Sequence, residues 1–233
     1  MSALAELAPL IQSEKAVVAN PLATKLDDAD LAAIASIRRM KAGETLYLEG
    51  DNALYCYQVV SGVVKEYNTL EDGRRQVADF YGVGELFGIS ELDEQLHTAE
   101  AITDCAVRSY PREAFIRVIA ASPQLSQHFL DTLMTRLHRA RERMVMLGRM
   151  SAMQRVTSFL LRLADEQNTS DGVHLSMSRQ DIADHLGLTI ETVCRALTEL
   201  KKRDLIIMPS ARLFSISCEE ALYDVTHGSS TIH

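Results

Sequence analysis

The stretch LGLTIETVCRALTELKKR, residues 186 to 203, places two kinds of side chain at helical spacing. Ile190, Val193, Leu197 and Leu200 form an apolar stripe. Around another side come Glu191, Cys194, Arg195 and Thr198: an acceptor, a thiol, a planar donor fork and a hydroxyl. Such a face suits the reading of base edges. An arginine can give paired donors to guanine O6 and N7, and a glutamate can accept from cytosine N4. Glu191 and Arg195 lie one turn apart, so they could share one G·C pair. Ile190 could touch a thymine methyl. The plain alternative is a solvated i,i+4 pair, worth about 0.3–0.5 kcal/mol.

A reading helix needs a scaffold, and residues 179 to 198 supply a helix–turn–helix pattern. Ala183 is small where two helices would cross. Gly187 stands at the turn, where a positive φ is easiest. Thr189 can cap the second helix. DLIIM and LFSIS, separated by PSAR, read as a β-hairpin that follows at once, which gives a winged form. In this arrangement the second helix enters the major groove with its N-terminal residues at base edges. Ser178, Arg179, Gln180, Thr189 and Thr192 are then candidates for phosphate contacts, which position without specifying sequence.

The rest of the chain must present that unit. Residues 1–24 read as an arm or short helix. Residues 25–40 read as a short helix capped by Asp27 or Asp28, with Leu31, Ile34 and Ile37 on one side. Seven of the eleven glycines then fall between Gly43 and Gly88. The intervals TLYL, LYCYQVV, VVKEYN and QVADFY are rich in β-branched and aromatic residues, and EDGR marks a hairpin turn. Further strands are expected over 98–110. This texture predicts a β-roll over 25–111.

After Pro111 the pattern becomes helical. Leu125, Phe129, Leu133, Leu137, Ala140, Met144 and Leu147 approach a heptad seam, and Gly148 marks a break and hinge. Two readings fit the seam: packing on its own domain, or pairing with a second copy. Pairing is favoured, because so long a stripe would otherwise need a large cover. The fold expected is therefore α+β: a β-roll, a dimerisation helix and hinge over 112–149, and a winged helix–turn–helix over 150–233.

Composition sets limits. A chain of 233 residues with 47% hydrophobic and 24% charged residues is ordinary for a globular protein. The net charge of −8 confines any DNA contact to a local basic surface. No apolar run is long enough to span a membrane, and MSALAELAPLIQSEK lacks the basic start of a secretory signal. Cys56, Cys105, Cys194 and Cys218 show no metal or disulfide spacing, so reduced thiols in the cytoplasm are expected. Cys194 stands apart. Arg195 and the nearby helix N-terminus favour its thiolate while Glu191 opposes it, so it is either a small group that fits or an oxidisable switch. No clustered metal ligands, nucleophile elbow or phosphate loop supports an enzyme.

Taken together, the glycine-punctuated roll, the long helix and the winged unit resemble the CRP/FNR family of bacterial transcription regulators over roughly residues 25–222. SRQDIADHLGLTIETVCR is similar to the reading head of the FNR type, whose pattern is E-x-x-S-R; Glu191 and Arg195 match, and Cys194 replaces the serine. The resemblance implies a homodimer that binds inverted repeats related to TTGAT…ATCAA in double-stranded DNA and activates transcription through RNA polymerase.

The sensing half departs from two branches of that family. No cysteine precedes Cys56, and Arg108 stands where the last iron–sulfur ligand would fall. The segment GELFGISELDEQLHTAEA keeps Glu85 and Gly88, but it has no arginine to clamp a cyclic phosphate, and His97 precedes Thr98 where that arginine is expected. The chain is thus identified with the FixK-like branch, which implies no cofactor, no metal and service in microoxic metabolism or nitrogen fixation. The alternative is an effector or haem held by the roll, with Glu85, His97 and the loop of the 80s as its pocket.

Overall fold

The computed structural model describes residues 28–90, 92–169 and 171–227. The arm expected over 1–24 lies outside them. The described chain forms two compact units that part between Thr135 and Arg136.

The first unit opens with α1 (Ala29–Ile34), capped by the Asp28 carboxylate, which accepts from the amides of Asp30 and Leu31. The helix expected to reach residue 40 stops there. Ser36–Met40 is instead a strand, β1, with Ile37 opposite Arg108. Eight strands follow one another: β1, β2 (Thr45–Tyr47), β3 (Tyr55–Ser61), β4 (Val64–Thr69), β5 (Arg75–Tyr81), β6 (Leu86–Phe87), β7 (Thr98–Ala101) and β8 (Cys105–Pro111). They form two antiparallel sheets of order β1-β8-β3-β6 and β2-β7-β4-β5. The inner faces share one core, in which Met40, Tyr57, Val59, Phe87 and Val107 of one sheet meet Leu46, Tyr47, Val64, Tyr81 and Ala99 of the other. This is the expected roll: alternating side chains fill the space between two sheets.

Two helices follow Pro111 rather than one: α2 (Arg112–Ala121) and α3 (Pro123–Arg149). Pro123 lacks the amide that a continuing helix would need, but suits the first turn of the next. α3 runs through Gly148, so that glycine does not break it; the helix ends one residue later.

In the second unit α4 (Ala152–Gln167) starts from a capping box between Ser151 and Gln154. Then come β9 (Val173–His174), α5 (Arg179–Leu186), α6 (Ile190–Lys202), β10 (Ile206–Ser210), β11 (Leu213–Ile216) and α7 (Glu219–His227). The wing gains a third strand: its order is β10-β11-β9. α7 packs back on α4, with Leu222 fully buried.

Candidate nucleic-acid interface

Local sequence builds the helix–turn–helix. Ser178 and Asp181 form a capping box that starts α5, each accepting from the other's amide at 3.0 Å. Gly187 ends α5 with φ +63°, where any side chain would be strained. The Thr189 hydroxyl then caps α6 by accepting from the Thr192 amide at 3.3 Å. Ile182, Ala183, Leu186, Val193, Leu197 and Leu200 are all buried, which locks the two helices together. His185 is buried with them, at 2% exposure.

This packing turns the other side of α6 outward. Glu191, Cys194, Arg195 and Thr198 are exposed, and Ile190 is 36% exposed at the N-terminal end rather than sunk in the core. Glu191 and Arg195 do not close on each other: Arg195 has no hydrogen bond or ion pair among the described residues. The Glu191 carboxyl is held below the usual carboxylate range, first by its own amide, then by the Thr189 hydroxyl, with a smaller contribution from Arg195. It is therefore an ionised acceptor at neutral pH, and the guanidinium keeps its donors.

The supporting residues gather at the same end. Arg179 donates to the Ala211 carbonyl in the wing turn at 2.9 Å and lies in electrostatic reach of Cys194. Burial pulls its guanidinium below the ordinary arginine value, and Cys194 works the other way. Gln180 donates to Asp184 at 2.6 Å. Ser178 and Thr189 use their hydroxyls as caps, and the Thr189 and Thr192 hydroxyls lie 3.0 Å apart. Arg212, at the wing turn, is exposed beside this group. Its place in PSAR, between two strands, is the one signal the sequence offers for it.

The thiols differ by burial. Cys56 is pushed up to about 12 and Cys105 to about 11, chiefly by desolvation, which keeps both protonated. Cys194 and Cys218 are exposed.

Of the seam, Leu125 is buried in its own unit with Tyr110, Phe115 and Ile119, and Phe129 packs edge-on to Phe115. Leu147 lies beside the turn glycine, its Cδ2 about 3.5 Å from where a Cβ on Gly187 would sit. The middle of the helix is uncovered: Leu133, Leu137, Ala140 and Met144 are exposed, joined by Leu130, Met134 and Val145.

The sequence matches the cyclic nucleotide-binding domain family over residues 37–122 and the Crp-like helix-turn-helix domain family over 154–225. It is 40% identical to the nitrogen fixation regulation protein FixK of Rhizobium meliloti, over 78% of this chain and 83% of that one. It is 38% identical to the protein of the same name from Bradyrhizobium diazoefficiens, over 83% and 85%. The solved structure of FixK2 from Bradyrhizobium japonicum superposes with a TM-score of 0.78 at 34% identity, over 82% of this chain and 97% of that chain. The chain belongs to the CRP/FNR family of transcription regulators, on its FixK-like branch. It is a DNA-binding regulator and not an enzyme.

Membership raises the question of a cyclic nucleotide, and the roll does not fit one. Its interior holds a carboxylate. Glu66 is 7% exposed and accepts from the hydroxyls of Tyr47 and Tyr81 (2.6 Å for Tyr81) and from the Gly88 amide at 3.2 Å. Burial, with Glu66 beside it, pushes the Tyr47 hydroxyl up and keeps it a donor. Tyr47, Tyr57, Tyr81 and Phe87 stack around this carboxylate with ring centroids 5.3–6.4 Å apart. Gly88 has no room for a side chain, since a Cβ would meet Tyr57 at 2.9 Å. Its amide, a donor that an anionic ligand would need, is taken by Glu66. Residues 84–101 contain no lysine or arginine. Glu85 turns back on the Gly82 amide at 2.7 Å, and Lys65, next to Glu66 in β4, pairs with Glu100 at 3.0 Å. The site offers a phosphate a buried carboxylate and, within residues 84–101, no basic clamp. His97 is engaged by Asn68. Among the described residues no three His, Cys, Asp or Glu side chains converge on a metal position. No helix of the described residues is long and apolar enough to cross a membrane.

Proposed function

We propose that this regulator works in the cytoplasm as a homodimer, reads an inverted repeat of the TTGAT…ATCAA type, and activates transcription by contact with RNA polymerase without a bound cofactor. Two copies pair along the uncovered seam of α3. Glu191 and Arg195 read a G·C pair in each half-site, Ile190 meets a thymine methyl, and Cys194 lies between the readers. Ser178, Arg179, Gln180, Thr189 and Thr192 lie against phosphates, and Arg212 adds a backbone contact from the wing. The observation that carries this is the outward face of α6, where a carboxylate and an unpaired guanidinium stand one turn apart on a capped helix. The relatives named for nitrogen fixation regulation support a role in that programme or in microoxic metabolism.

The match to the cyclic nucleotide-binding domain family favours a second reading, in which an effector in the roll gates DNA binding. The buried Glu66 carboxylate speaks against an anionic one. DNA affinity of the nucleotide-free protein, measured with and without millimolar cAMP, decides between them. No change is expected; a rise of about tenfold, which is about 1.4 kcal/mol of coupling, would establish the gated reading instead.

Cys194 is the exposed thiol on the reading face, and two readings of it follow: a small residue that fits, or an oxidisable switch. In the second, peroxide converts it to a sulfenic acid and then to charged sulfinate, which sets bulk and negative charge against DNA. Treatment is expected to lower the parent's DNA affinity at least tenfold and to spare Cys194→Ser. Equal sensitivity of the two proteins would remove the switch and leave Cys194 as a small residue that fits.

A further inference from the structure

Near the reading helix, one side chain is tied to the backbone at three separate points. Arg155 lies in the first turn of α4 and spreads its guanidinium over three carbonyls. Nη2 donates to Leu147 O at 2.8 Å, Nε to Met150 O at 3.0 Å and Nη1 to Leu186 O at 3.0 Å. Leu147 is in the last turn of α3, Met150 follows that helix, and Leu186 is the last residue of α5. These are carbonyls at helix C-termini, which lack partners within their own helices and carry partial negative charge. No carboxylate pairs with Arg155 among the described residues. Its charge is spent on joining the end of the long helix to the turn that precedes the reading helix.

The neighbours make the same junction. Leu147 and Arg155 Nη1 both flank Gly187 in that turn. A second tie runs from Arg139 of α3 to Glu166 of α4 at 3.3 Å; the same oxygen meets Arg162 at 3.2 Å, and Arg162 reaches the buried His185 of α5 at 3.3 Å. Two ties at separate points fix a direction as well as a distance.

We infer that Arg155 is a positioning residue that sets the spacing and angle between the two reading helices of the dimer, and so determines which half-site separation is recognised. This rests on the dimeric, inverted-repeat reading above. One base pair more or less between half-sites moves them by about 3.4 Å and rotates them by about 35°. A rigid junction must reject such a change, and a loosened one must tolerate it. Lysine replaces the fork only in part, because a single ammonium cannot reach all three carbonyls that Nε, Nη1 and Nη2 meet separately.

The test uses the full-length protein and its Arg155→Met and Arg155→Lys variants, with anisotropy on five duplexes: the inverted repeat, the same repeat lengthened or shortened by one base pair at its centre, a single half-site and a random control. The parent is expected to prefer one spacing at least tenfold. In Arg155→Met that preference falls below threefold, while half-site affinity stays within twofold of the parent; Arg155→Lys lies between. Unchanged half-site binding is the control for folding, and if Arg155→Met unfolds, Arg155→Lys carries the comparison. Variants as selective as the parent, or losing half-site and full-site binding in parallel, would overturn the inference alone. A parent that binds no duplex better than the random control would overturn the inverted-repeat reading, and this inference with it.

Discussion

Replacing Arg195 with alanine is expected to abolish discrimination of the G·C pair in each half-site and leave the fold intact. A bidentate arginine–guanine contact is worth about 1–3 kcal/mol, so two half-sites lose about 2–6 kcal/mol, or roughly thirtyfold and upward in affinity. The side chain is exposed and has no partner within the described chain, so stability should move by no more than about 0.5 kcal/mol. Salt dependence separates base reading from backbone contact. A lost phosphate contact lowers the slope of log K against log salt by about one, whereas a lost base contact flattens the preference among sequences. Titrations of the variant at several salt concentrations, on the repeat and on a random duplex, are expected to give an unchanged slope and converged affinities. A shallower slope with sequence preference retained would move Arg195 to the backbone.

Leu137→Glu is expected to produce a monomer. Leu137 is 43% exposed in the single chain, with Leu133 at 37% and Met144 at 74% on the same helix. Covering one leucine contributes about 1.5–3 kcal/mol, and a twofold axis counts the loss in both copies. The replacement also sets like charges close together across the seam. Sedimentation velocity at micromolar concentration should show the change from dimer to monomer. Affinity for the full repeat should fall at least a hundredfold, toward that of one half-site. Leu125→Glu is a different case. That residue lies in the core of the first unit, so the substitution should unfold it rather than dissociate it. A Leu137→Glu protein that remained dimeric would place the interface elsewhere.

The sequence was most informative where structure is local. A cap at Thr189, a turn at Gly187 and a three-and-four spacing of apolar residues depend on neighbours within a few positions, and all are visible in a string of letters; the cap at Ser178, which the sequence offered only as a phosphate contact, is equally local. The strands of the roll were legible for the same reason, through alternation and glycine. What depends on distant partners was not. Ser36–Met40 continued a helical pattern, and only pairing with β8 makes it a strand. Seam periodicity alone could not divide Leu125, packed within its own unit, from Leu137, left uncovered. Glu66 sat in VVKEYN like any solvated strand residue; alternation with Val64 put it on the inner face, but its acceptance there rests on Tyr47 and Tyr81, nineteen and fifteen positions away. Arg155 gave no signal, since its three partners are backbone carbonyls, and carbonyls are the same for every residue.

The base-reading role proposed for Glu191 and Arg195, on G·C pairs of an inverted repeat and without an effector, is open to direct measurement. Its most direct test is anisotropy of a TTGAT…ATCAA duplex with reduced, ligand-stripped protein, beside a duplex in which only the two G·C pairs are inverted. Nanomolar binding to the first, and loss of at least thirtyfold on the second, is the predicted result. Equal affinity for both, or binding to neither until a small molecule is added, would contradict it.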